Sequence, residues 1–133
     1  MFAALLLTIS VVALAQFGAF YWRALVASEA ALPISQQVLE AASTDCTSLR
    51  GEDFPAFAEL HAVTPGLGWK SADLGLVPAY YKLIHMVGTL ASGRMAGLAS
   101  WAEGERLLCA RYAAVQVDRR LQANLELASS LRA

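Results

Sequence analysis

Hydrophobic positions follow two regimes along this chain. From Phe2 to Trp22 no charged side chain interrupts the run, which closes on Tyr21-Trp22-Arg23. Twenty-one residues at ~1.5 Å each span about 30 Å, the thickness of a bilayer hydrocarbon core. Helices of soluble cores seldom stay apolar on every face for this length. The run therefore predicts a transmembrane anchor over residues 1–23. Tyr21 and Trp22 are expected at the headgroup level, with Arg23 reaching outward to water, the three forming the membrane interface. A cleaved secretory signal is the rival, because Ala13-Leu14-Ala15 has the small-x-small form of a cleavage site before Gln16. Such signals open with a basic segment, and no Lys or Arg precedes Phe2.

Beyond the anchor the apolar positions become periodic. The first helix is expected to continue through Ala24 to Leu32, until Pro33 removes a backbone donor and disfavours helix at the residue before it. Ile34, Val38, Ala41 and Ala42 mark a short amphipathic helix, followed by a polar loop from Ser43 to Ser48. Glu52 to Val63 reads as helix with Phe54, Phe57, Ala58 and Leu60 inward, Pro55 being tolerable only in its first turn. Thr64 to Pro78 is broken by Pro65, Gly66, Gly68 and Gly75 yet carries Leu67, Trp69, Leu74, Leu76 and Val77. A loop this apolar is expected to fold onto the domain or onto a partner.

Helix resumes from Ala79 to Leu90, Ser92-Gly93 turns the chain, and a last helix runs from about Met95 to Leu131. Its seam comprises Leu107, Ala114, Val117, Leu121, Ala128 and Leu131, widened by Leu108, Tyr112 and Val115, with Asn124 inside it. No alternating β-branched run marks a sheet. The expected fold is all-α: a single N-terminal transmembrane helix followed by a small antiparallel helical bundle over residues 24–133.

Composition narrows the class. The 110 residues after the anchor suffice for one compact domain. A 57% hydrophobic content and a net charge of −1 argue against disorder and against nucleic acid as a partner. Eight arginines against two lysines suit a GC-rich bacterial genome and hence a bacterial inner membrane. Arg23 is the sole basic side chain near either end of the anchor, which by the positive-inside tendency places the domain in the cytoplasm. Acids dominate from Ala24 to Asp73, seven against two bases, whereas from Arg94 onward six arginines face four acids. Pairs formed between these halves at the surface are each worth less than about 1 kcal/mol.

Candidate chemistry fails mostly on spacing. Gly66-Leu67-Gly68-Trp69-Lys70-Ser71 resembles a phosphate-binding loop, but Trp69 interrupts the Gly-Lys-Ser order and a helix stands where a strand is needed, so no nucleotide is expected. His61 and His85 could clamp a cofactor, or share a metal with Met86 or Cys109, but no paired Cys/His spacing supports metal or haem. Cys46 and Cys109 form a disulfide only if the domain faces an oxidising compartment. Glu103 and Glu105 point to different sides of their helix and make no catalytic dyad.

Signals for association survive. Ala15 and Ala19 are a small-xxx-small pair, Gly18 lies beside them, and Gln16 is an amide in need of a partner, which suits contact with another membrane helix. Trp69, Tyr80 and Tyr81 supply aromatic surface for docking, with burial in the bundle core as the alternative. The expected role is a non-catalytic accessory, assembly or stabilising subunit of a larger integral membrane protein complex, without cofactor. The runner-up is a membrane-tethered helical binding or cofactor-carrying module using His61 and His85.

Overall fold

A computed structural model describes residues 1–42, 49–64 and 74–133. Five α-helices and one 3-10 turn occupy them, with no strand among the described residues. Helix α1 (Phe2–Ala30) runs without a break through Arg23, where the sequence suggests the end of the anchor. It closes at Ala31 and Leu32, whose N–H groups donate to Ala27 and Glu29, immediately before Pro33. Helix α2 (Gln36–Ala42) is short.

The 3-10 turn Gly51–Asp53 leads directly into α3 (Phe54–Val63), and Pro55 falls in the first turn of α3, where a missing N–H costs no bond. The carboxylate of Asp53 accepts from the Arg50 N–H at 2.8 Å, fixing the entry. Helix α4 (Val77–Ala91) and α5 (Ala96–Arg132) are joined by Ser92-Gly93, with Gly93 at φ +84°, a conformation that a Cβ disfavours.

Helix α5 is the spine. At 37 residues it is about 55 Å long, and α1, α3, α4 and the 3-10 turn all pack on it. Encirclement explains why Ala113 to Asp118 are buried without interruption, including Gln116 and Asp118. The expected single seam is therefore incomplete. Ala114, Val115 and Val117 are buried as read, but Cys109, Ala110 and Ala113, outside that seam, are fully buried too, while Ala128 and Leu131 lie on an exposed overhang. Small residues dominate here because four elements approach one helix closely. Gly51 makes the same point, since a Cβ on it would lie 2.8 Å from the Arg106 Cβ and 3.2 Å from the Leu107 N.

Helix directions follow from the contacts. Helices α4 and α5 are antiparallel, with Tyr80 beside Glu105 and Gly88 beside Ala102. Helix α3 runs with α5: Gly51 meets Arg106 at one end, and Arg120 donates to the Thr64 carbonyl at the other. Helix α1 also runs with α5, from the Arg23–Glu105 contact to the Glu29–Arg119 contact.

The two parts of α1 differ completely in environment. Every residue from Phe2 to Tyr21 is exposed, whereas Trp22, Val26 and Ala30 pack into the domain. The uncovered part belongs to one helix that is long and apolar enough to cross a membrane.

Candidate functional site

The most organised polar cluster lies where α1 joins the domain. Trp22 meets the Tyr80 ring edge to face, with centroids 5.1 Å apart and planes at 76°. One residue on, the Arg23 guanidinium grips the Glu105 carboxylate with two donors: Nε to Oε2 at 3.1 Å and Nη2 to Oε1. The Tyr80 hydroxyl donates to Oε2 at 2.6 Å. The Glu105 side chain is 4% exposed and that of Arg23 50%, so an interior carboxylate is neutralised by a cation that keeps one side toward solvent.

Local sequence explains the placement. Glu105 sits one turn before Cys109 on the face of α5 that carries the small core residues, and Tyr80 is on the first turn of α4. Arg23 closes the apolar run, so its stem continues the apolar column of Trp22 and Val26 while its head turns to the acid.

Electrostatics make this cluster a clasp. The Arg23 bonds hold the Glu105 carboxyl below the usual carboxylate range, with Tyr80 assisting, against the opposing effect of burial. Burial, then hydrogen bonding to Glu105 and its charge, push the Tyr80 hydroxyl well above its ordinary value. The Cys109 thiol is pushed up to about 12 by burial first and by Glu105 second. At neutral pH the phenol and the thiol are thus protonated, and the thiol is fully buried.

The remaining candidate residues distribute as follows. Tyr21 is exposed, as are Ala15, Gln16, Gly18 and Ala19, and nothing lies within 4 Å of the Gly18 Cβ position. Tyr81 is not at a docking surface. It is buried, stacked on Phe54 with centroids 4.2 Å apart, and donates its hydroxyl to the Gly51 carbonyl at 3.1 Å. A large ring beside a glycine-lined approach is better satisfied in the core, which is where the structure puts it. Tyr80 is half-buried and committed to the clasp. Trp69 and Cys46 lie outside the described residues, and with them the docking loop and the Cys46–Cys109 pairing.

The histidines do not converge. His61 is buried on α3, its carbonyl accepting from Arg120, while His85 is exposed on α4 beside a hollow of about 280 Å³ shared with Ala102, Glu103 and Arg106. Arg106 and Arg120 are fourteen positions apart on α5, about 20 Å of helix, so the α5 side chains beside the two histidines lie far apart. Among the described residues no group of three or more His, Cys, Asp or Glu side chains could hold a metal ion.

Sequence reasoning missed the clasp because its partners are 82 residues apart. The available signal was slight: Glu105 shares a helical face with Cys109, an unusual companion for a solvated acid. Comparison with family models, characterised proteins and solved structures finds no match.

Proposed function

We propose that this protein is a non-catalytic accessory, assembly or stabilising subunit of a larger integral membrane protein complex, held by α1 as a single membrane anchor. One observation carries the reading: five turns of apolar helix are uncovered on every side, while the same helix, without interruption, is built into a folded domain at its other end. Such a surface in water is an aggregation liability, and a bilayer removes it. A bacterial inner membrane with the domain on the cytoplasmic side is the proposed location, on the arginine-rich composition and on Arg23.

Partner contact is proposed at Ala15, Gln16 and Ala19. Ala15 and Ala19 lie at helical spacing above Trp22 and Val26, so they face the same side as the domain, with Gln16 on the flank beside them. Trp69 is proposed as a further docking residue. The decisive experiment is gentle detergent extraction of the full chain, followed by identification of what co-purifies and by the mass of the recovered chain. Stoichiometric recovery of a polytopic partner, reduced by Ala15→Leu with Ala19→Leu while insertion persists, supports the proposal. A chain that begins after Ala15, or recovery alone in every detergent, overturns it.

A further inference from the structure

The other end of the domain's longest hairpin points the same way as the anchor. Arg23 meets Glu105 and Glu29 meets Arg119, so α1 and α5 advance in one sense through the junction. The part of α5 that precedes Glu105 therefore extends toward the uncovered end of α1, with antiparallel α4 beside it. Ala96 begins α5 nine residues before Glu105, which carries the hairpin tip about 14 Å past the junction.

This projecting hairpin has the composition of a membrane-facing element. From Leu83 to Ala102, twenty residues, Arg94 is the one Asp, Glu, Lys or Arg. Large apolar side chains stand uncovered on it: Leu90 at 72% exposure, Met95 at 62%, Trp101 at 45%, with Leu83 and Leu98 beside them. Helical spacing shows which way they look. Leu98 and Trp101 precede Glu105 by seven and four residues, and Leu83 and Leu90 follow Tyr80 by three and ten. Leu98, Trp101 and Leu83 share the faces of α5 and α4 that meet Arg23 and Trp22, the α1 side of the hairpin, and Leu90 stands about 80° round from Tyr80, on the outer side of α4.

We propose that the α4–α5 hairpin tip is a second membrane contact, bedded in the interfacial layer of the leaflet through which α1 passes; this rests on the anchor reading above. The occupant of the exposed apolar surface is lipid. The surface is continuous with the side of α1 that emerges from the domain, and it offers apolar and aromatic contact with few hydrogen-bonding groups. Interfacial elements of this kind sink about 5–10 Å into the headgroup and acyl boundary, a depth the projection of the tip accommodates. Trp101 then sits at an interface that favours its ring, and Arg94, exposed at the turn, can reach back to lipid phosphate.

Spin labels on the full chain test this in vesicles of phosphatidylethanolamine and phosphatidylglycerol. Single cysteines replace Leu14, Leu90, Leu98 or Glu126 in a Cys46→Ser background, where the buried Cys109 resists labelling. Collision with oxygen, which concentrates in lipid, is compared with collision with a water-soluble nickel chelate. The expected result is oxygen dominating at positions 14, 90 and 98 and nickel dominating at 126. Lipid exposure at 14 with nickel dominating at 90 and 98 overturns the hairpin inference and leaves the anchor standing. Nickel dominating at 14 overturns both. Shielding of 90 and 98 from both reagents means that protein covers the surface, and this too overturns the inference.

Discussion

Residues 2–21 and residues 22–30 of α1 are one unbroken helix in two environments. The first stretch is exposed throughout, and the second contributes Trp22, Val26 and Ala30 to the packed domain. Both stretches are rich in apolar residues, but charge enters only in the second, at Arg23 and Glu29. What separates them is the column of partners on α4 and α5, which starts at Tyr80 and Glu105 and meets α1 from Trp22 onward. On the anchor reading proposed above, α1 serves two solvents and must change its rule of stability along its length. Below the junction, close packing decides; above it, the absence of charge decides.

A pair of matched substitutions breaks this comparison most sharply. Val26→Asp places an unpaired charge at a position 4% exposed and is expected to cost the domain about 4 kcal/mol, measured by chemical denaturation of the detergent-solubilised chain. Leu14→Asp is expected to leave that denaturation midpoint unchanged and instead to reduce membrane insertion by about 3 kcal/mol, read in a glycosylation-mapping or translocon assay. Equal effects of the two on domain stability would erase the distinction between the halves.

The clasp sharpens the boundary. Arg23→Met strands the Glu105 carboxylate in the interior and is expected to destabilise the domain by about 2–3 kcal/mol, with Tyr80→Phe costing about 1.5 kcal/mol through the lost bond to a charged acceptor. A thermal melt that ignores both variants would mean the two parts of α1 are joined by packing alone.

Acid should loosen the same point. Glu105 is depressed in the folded protein, so the unfolded chain takes up its proton first as the pH falls. The clasp's contribution is complete above the unfolded carboxyl value of about 4.3 and is lost as the pH drops through the lower folded value. Melting temperatures between pH 6 and 3 should fall less steeply in Glu105→Gln than in the parent protein. The smallest effect belongs to the outer pair: Arg119 and Glu29 meet at 2.6 Å, but their side chains are 47% and 35% exposed, and Arg119→Gln is expected to cost under about 1 kcal/mol.

Local signals in the sequence carried much of this architecture. Pro33, Pro55 and Ser92-Gly93 mark breaks that backbone chemistry imposes regardless of the rest of the chain, and the charge-free run to Trp22 is visible by inspection. The core face of α5 was harder to read. A stripe pattern assumes one buried side, whereas α5 is approached by several elements, so its interior is written in alanine and cysteine instead of leucine. Tyr81 illustrates the same limit, because aromatic surface reads identically whether a partner or the chain's own Phe54 covers it. Glu105 was illegible as an interior acid, since nothing local reveals a guanidinium 82 positions away.

Continuity of α1 across the junction has a consequence for rotation. With no hinge between Gln16 and Val26, the azimuth of the uncovered stretch of α1 and that of the domain are phase-locked, like two gears keyed to one shaft. Inserting a single residue after Tyr21 turns the upper helix by about 100° and lifts it by about 1.5 Å. Ala15 and Ala19 would swing off the column they share with Val26, and a partner aligned with both surfaces could then engage only one at a time.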